Sequence, residues 1–387
     1  MSDDGERAQE LFREIQRSPD FERVDELREF LRSDDPKARR SALDALEVLG
    51  NYKPELYLSE ANRIAELLDD GNKEVRVGAA SVAASLGRAD PERVAEMVPS
   101  LGALLEDDYI VVRTNAVEAL RYAAQEDHAA VAPYVEDLLA YFDSSSHKTK
   151  RHAVSAVATV SLGEPEAVVP AVPALFERFR IGQGNDGQVQ RPSGDHGSES
   201  TVSHGPSRQE LDRRDEALEI HRDIRQAAGH GLYEVAKVEP EAVLGYAGAF
   251  GELLSDDDPQ VNAVSADVFA VLADSNPETV VEYADAVADA LEIDAYFVNG
   301  PAARALIIAA DADEDAIRSA VAEHTDALVG LLDHEEETAE AAAAGLLSIL
   351  AGDDPTALDP AEERLKRLAE SETDFVRAAA EDALSSR

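Results

Sequence analysis

The sequence predicts an all-α chain, an α-α superhelix of about nine helix pairs, on three observations that repeat together. A basic or polar marker residue recurs at Arg39, Arg76, Arg113 and Lys150, 37 residues apart each time. It continues at Arg225 after 75, at Asn262 and Asn299 after 37 each, at Glu340 after 41 and at Arg377 after 37. A helix-start signal, usually Pro-Glu, recurs separately at Pro54, Pro91, Pro165, Pro240, Pro277 and Pro355, with His128 and Glu314 in the two remaining places. Its steps show the same irregularities in the same order. Third, the residues one before, three after and seven after the marker are apolar or small, so they share one helix face. A fixed period of this length specifies stacked helical repeats.

In chain order, residues 1–19 form a cap whose helix is expected over 5–17. Residues 20–180 hold the first pair to the first helix of the fifth, and 208–387 hold the remainder, the whole reading as a single α-solenoid. Each pair opens with helix A, where proline at the first turn sacrifices an N–H that has no helical partner anyway. Its apolar stripe is seen in Val94, Val98, Leu101, Leu104 and Leu105. A polar turn follows, as at Asp34-Asp35, Asp69-Asp70, Asp107-Asp108 and Asp256-Asp257-Asp258. Acids there are expected to cap helix B and to meet the positive end of its dipole. Helix B then carries the marker and the core stripe, with alanines such as Ala79, Ala116 and Ala153 allowing close approach of neighbouring helices.

The 75-residue step contains an insert, 181–207, rich in Gly, Ser and Gln and without periodicity, which is expected to be disordered. Ser207 with Glu210 makes a capping box for the helix that follows. That helix has no breaker before Gly229, so it is expected to run several turns beyond its neighbours. In the seventh pair Gly300-Pro301 follows Asn299, which reads as a helix cap.

The Val-Arg pairs Val75-Arg76, Val112-Arg113 and Val376-Arg377, the turn aspartates, and the Ala-x-x-Ala-Leu element of Ala42–Leu46, Ala116–Leu120 and Ala380–Leu384 resemble the HEAT-repeat family. The resemblance covers about residues 20–385. It implies a ladder in which a turn aspartate bonds the helix-B basic residue of a neighbouring repeat. Asp34, Asp108, Asp257 and Asp294, each five before its marker, are the expected rungs. HEAT-like repeats also resemble bilin lyases, which implies an accessory enzyme subunit as one alternative.

Acidic residues number 80 against 36 basic ones, a formal net charge of −44. With 44% hydrophobic residues in strong periodicity a core is available, so the charge reads as adaptation to molar salt, where the Debye length falls to about 3 Å. A halophilic, archaeal, cytoplasmic protein is the expectation. The acidic beginning MSDDGER is unlike a secretory signal, and no apolar run approaches the roughly 20 residues that span a bilayer. Absence of cysteine excludes disulfides, thiolate metal sites and a cysteine nucleophile.

No catalytic, metal-binding or cofactor-binding constellation is predicted, and no cofactor is expected. His147 and His152 are five apart and His221 and His230 nine apart, unlike the four-residue spacing that puts two ligands on one helix face. The single His334-Glu335 pair argues against a HEAT-like iron hydroxylase. Gly182-Gln183-Gly184 lies in the insert rather than between strand and helix. Ser144, Ser145 and Ser146 read as a turn before helix B.

Charge does single out one region. Residues 144–236 carry 11 Lys and Arg against 13 Asp and Glu, whereas the rest of the chain carries 25 against 67. Helical geometry places positions one, five and eight after each marker opposite the core, including Arg40, Asp44, Glu47, Thr114, Glu118, Arg121, Arg151, Ser155, Gln226, His230 and Tyr233. The candidate partner-binding residues are therefore Arg121, Lys150, Arg151, Arg178, Arg180, Arg213, Arg214, Arg222 and Tyr233. The bland alternative is a solvated face whose arginines pair along one helix. The function expected is a non-catalytic protein-interaction scaffold or adaptor that binds a partner along the concave helix-B surface. Nucleic-acid association through 144–236 is a second alternative, disfavoured by the overall field.

Overall fold

The computed structural model describes residues 4–181, 208–352 and 355–386. The side chains of 208–214 and of 355 lie outside that description, as does the insert from residue 182 to 207 together with Ser207 and the Glu210 side chain. Among the described residues every regular element is helical.

The cap is α1, Asp4–Arg17, which buries Ala8, Leu11 and Ile15. Nine B helices follow: α2 Pro36–Gly50, α3 Lys73–Ala89, α4 Ile110–Ala123, α5 His147–Val160, α6 Arg208–Val238, α7 Pro259–Ser275, α8 Tyr296–Ala309, α9 Glu337–Ala351 and α10 Asp374–Ser385. Eight of them begin three residues before the marker. The exception is α6, 31 residues long, which starts fourteen residues earlier than that rule gives, about 21 Å of added helix.

The predicted core stripe is buried. Val75, Val112, Ala79, Ala116, Ala153, Leu120, Leu232, Val376 and Ala380 have no solvent exposure. Each fully buried leucine or valine of this kind contributes about 1.5–3 kcal/mol. The alanines leave room for a neighbour's backbone, and one position needs still less side chain. A Cβ on Gly231 would lie 3.2 Å from the Ala158 Cα of α5.

Most of the A helices differ from the single rods that the apolar stripe suggests. Glu55–Leu68 is unbroken, and the first, Val24–Leu31, is one helix entered through a 3-10 turn at Phe21–Arg23. The third splits into Pro91–Ala95 and Val98–Ala103, the fourth into His128–Val131 and Val135–Leu139, and the fifth into Pro165–Val168 and Val172–Arg180. Pro99, Pro133 and Pro170 sit at these bends, where their missing N–H cannot continue the ladder.

The turn between A and B is a repeated hydrogen-bonded structure. The residue six before the marker accepts from the backbone N–H two residues on: Asp70 from Asn72 (2.8 Å), Asp107 from Tyr109 (2.8 Å) and Asp256 from Asp258 (2.9 Å). Ser33, Ser144 and Ser371 do the same with their hydroxyls. The helix caps are then Asp35, Asn72, Ser146 and Asp258, so Ser144 to Ser146 form the expected turn. Asp69, Asp107 and Asp108 do not cap a B helix.

This geometry moves the ladder by one residue. Arg39 Nε lies 2.8 Å from Asp70 and Arg76 Nε 2.6 Å from Asp107, while Asp34, Asp108, Asp257 and Asp294 are exposed. The acid six before the marker is pinned inward by the N–H it accepts, and its successor turns to solvent. A second contact is commoner still. The marker side chain donates to the carbonyl six residues before it: Arg39 to Ser33, Arg76 to Asp70, Arg113 to Asp107, Asn299 to Ile293 and Arg377 to Ser371. Asn299 is therefore no helix cap. It lies inside α8, which is capped at Ala295 and carries Pro301 within it.

The described residues form two compact units that divide within the fifth pair. The first holds those up to Leu175 with Arg208–Gly231, the second Phe176–Ile181 with those from Leu232 on. In the first, α1 to α5 stack in sequence. In the second, α7 packs on α8, α8 on α9 and α9 on α10, and Phe176 meets Tyr246 and Phe250 at ring-centroid distances of 4.5 and 5.2 Å.

Candidate functional site

Positions one, five and eight after the marker lie about 80–140° round the helix from it, opposite the core. Their side chains are half-buried or exposed from α2 to α6, except Val77 and Ala84 of α3 and Ala158 of α5, which are buried. In the first unit they form a polar network between successive helices. Ser81 on α3 donates to Glu47 on α2 (2.9 Å).

One carboxylate gathers the rest. Glu118 on α4 receives Arg88 of α3 at 3.1 Å and Lys148 of α5 at 3.3 Å. Arg88 also donates from Nε to the Tyr122 hydroxyl at 3.3 Å. Burial works to raise the Glu118 carboxyl, but the charges of His152, Lys148 and Arg88 outweigh it and hold it below its ordinary range.

His152 of α5 lies beneath this group, 4% exposed, its Nε2 3.8 Å from Glu118. Neither ring nitrogen has a hydrogen-bond partner. Burial pushes its imidazole down to about 4; Glu118 pulls the other way, and the charges of Arg121, Arg151 and Lys148 add to the burial. It is therefore neutral at pH 7, where Lys148 and Arg88 are the cations that hold Glu118.

The candidate residues fall on both units. In the first, Arg121 stacks over the Tyr122 ring at 4.7 Å, and Arg151 reaches Asp223 of α6 at 3.3 Å. Arg222 is exposed on α6. With Lys148, Arg151 and Asp223, and with Glu216 and Glu219, it lines a cleft of about 630 Å³. Lys150, at the marker position, is half-buried and off this face. In the second unit Arg180 is exposed and paired with Glu177 at 2.8 Å, and Arg178 is half-buried. Tyr233 is half-buried with Lys237 Nζ 4.9 Å from its ring centroid. The Arg213 and Arg214 side chains lie outside the described residues.

Two sets of residues are absent from the sequence-derived candidates. Arg88 and Lys237 stand twelve after their markers, on the same face one turn further on, and extending the series by four would find them. Asp267 and Arg304, each five after its marker, fall within the series but outside the region of low net charge. Burial raises the Asp267 carboxyl to about 6, against the pull of Arg304 and with Glu336 adding to the rise.

Residues 24–121 match the family model of HEAT repeats. Over that stretch the chain carries HEAT-like repeats. The crystal structure of an engineered protein covers 94% of this chain and 98% of its own at 20% identity, with a TM-score of 0.63, a likeness of fold alone. Comparison with the curated proteins finds no match. The matched region includes α2 to α4, hence Arg88, Glu118 and Arg121, while the HEAT-like pairs after it repeat the same turn and core pattern. No described helix is long and apolar enough to cross a membrane.

Proposed function

We propose that this HEAT-like chain is a non-catalytic scaffold that binds a protein partner along the outward face of its B helices. The observation that carries the reading is the network centred on Glu118. Side chains from three successive helices meet on a face that the core does not use. An array of this kind offers an extended surface to a partner rather than an enclosed pocket for a reaction. Charge reversal by Arg121→Glu and Arg151→Glu, with Tyr233→Ala, is expected to abolish capture of a protein partner by the purified chain. Capture that survives all three substitutions assigns binding to another face.

We also infer that the −44 charge is an adaptation to a salt-accumulating cytoplasm. Screening of carboxylate repulsion is the physical support for it. The same charge works against a nucleic-acid role, because a phosphate backbone is repelled at low salt and loses charge-driven binding at high salt.

A further inference from the structure

We propose that the B-helix face of the first unit is a docking site for a short acidic peptide segment, with Arg88, Arg121, Lys148 and Arg151 as its cationic contacts. This rests on the scaffold reading above and names the chemistry of the partner.

The four cations form a diagonal stripe. Arg88 is twelve after its marker on α3, Arg121 eight after on α4, and Arg151 one after and Lys148 two before on α5. At 100° per residue all four fall about 80–160° from the marker, on one face. The stripe therefore runs from the C-terminal part of α3 to the N-terminal part of α5.

Its charge balance is the reverse of the chain's. Four permanent cations stand against Glu118 among them and Asp223 at the side of Arg151, in a chain of net charge −44. On α6 the acids Glu216 and Glu219 close the stripe off, alongside Arg222. The Arg88 and Lys148 side chains are 57% and 59% exposed, so each keeps donors toward solvent while holding Glu118. Below them His152 is buried with both nitrogens unpartnered, and three of the four cations act on it.

The arrangement already shows how a carboxylate sits on it. Glu118 is held from two sides by cations of different helices, α3 and α5, a charge-assisted geometry that further carboxylates along the stripe can repeat. The Arg88 and Lys148 head groups both lie within 3.3 Å of the Glu118 carboxylate, so they form a compact cationic patch that a short Asp/Glu-rich segment complements in charge.

The test is fluorescence anisotropy with labelled octaglutamate, octalysine and a thymidine octanucleotide, at about 0.15 M and about 1 M KCl. Octaglutamate is expected to bind, and more weakly at the higher salt. Lys148→Glu with Arg151→Glu should weaken it at least about tenfold. Glu118→Gln should strengthen it about threefold by removing the internal competitor, with circular dichroism confirming that each variant is folded. Arg93→Glu makes the same kind of charge change on the third A helix, where Arg93 pairs with Glu96, and should leave binding unchanged. The proposal is overturned if octaglutamate fails to bind, if the oligonucleotide binds as well, or if Arg93→Glu weakens binding as much as the stripe variants do. Should the peptide fail while protein capture is still lost on Arg121→Glu with Arg151→Glu, the scaffold reading stands and the acidic occupant falls. Capture that survives those reversals removes the face itself.

Discussion

Single residues carry two opposite electrostatic debts in this chain. At Asp107, burial works to raise the carboxyl, yet hydrogen bonds from Arg76 and the Tyr109 N–H, with the charges of Arg76 and Arg113, hold it below its ordinary range. A folded pKa below the unfolded one contributes stability at neutral pH, which is lost as pH falls through the usual carboxylate range toward the folded value. Arg76→Ala should therefore destabilise the fold by about 1–3 kcal/mol at pH 7, with the deficit narrowing below about pH 4 in urea titrations. Asp267 has the opposite sign. Its pKa is raised to about 6, so the folded state binds more protons than the unfolded one between about 4 and 6, and stability falls as pH rises through that window. Asp267→Asn is expected to stabilise the protein by about 1–2 kcal/mol at pH 7.5 and to have no effect at pH 4. A denaturation midpoint unchanged at pH 7.5 would show the carboxylate to be comfortably solvated. The sequence marks both aspartates as polar positions and says nothing of their opposite shifts, because the shifts depend on which neighbouring repeat supplies the counter-charge.

At the scale of the helix pair, sequence periodicity locates the B helices well, since a stripe of period 3.6 recurs at the markers and four of the helices also begin at a capping side chain. It misplaces the ladder by one residue. Asp107 and Asp108 are equivalent in pattern, and only the closed turn, with Asp107 accepting from the Tyr109 N–H, turns one of them inward. The stacking of pairs also relies on contacts with no periodic signature. A Cβ on Gly87 of α3 would lie 2.7 Å from the Cβ of Tyr122 on α4, an atom that cannot swing away. Gly87→Ala gains about 0.5–1 kcal/mol in helix propensity, but overpacking costs about 1–3 kcal/mol, so the melting temperature should fall. Gly71, whose added Cβ would meet nothing within 4 Å, provides the comparison: Gly71→Ala should melt as the parent does.

At the scale of the whole molecule the governing quantity is the net charge of −44. Self-repulsion of this size opposes compaction in dilute buffer and fades when the Debye length shrinks to about 3 Å near 1 M salt. The far-UV helical signal is expected to be full in concentrated KCl and to fall when the protein is dialysed into dilute buffer. A signal equally strong in both removes the halophilic reading. The same repulsion makes a local cluster of cations conspicuous. The region 144–236 stands out in the linear sequence, yet the residues that meet at Glu118 span Arg88 to Lys148 and begin well before it, because neighbouring helices bring together residues about one repeat apart.

The sequence by itself determined the helix pairs, their number and their core. These follow from local capping, proline placement and an apolar face, all properties of residues within one period. It also determined the extra length of α6, since an amphipathic run without a breaker has no reason to stop. Tertiary structure alone decided which aspartate of each turn reaches an arginine, that Asn299 and Pro301 both lie inside α8, and that His152 is buried without a partner. It alone brought Arg88, Glu118 and Lys148 together across three helices. Each of those depends on a neighbouring repeat or on a turn closed by its own backbone, and a period read along the chain holds no record of what lies beside it.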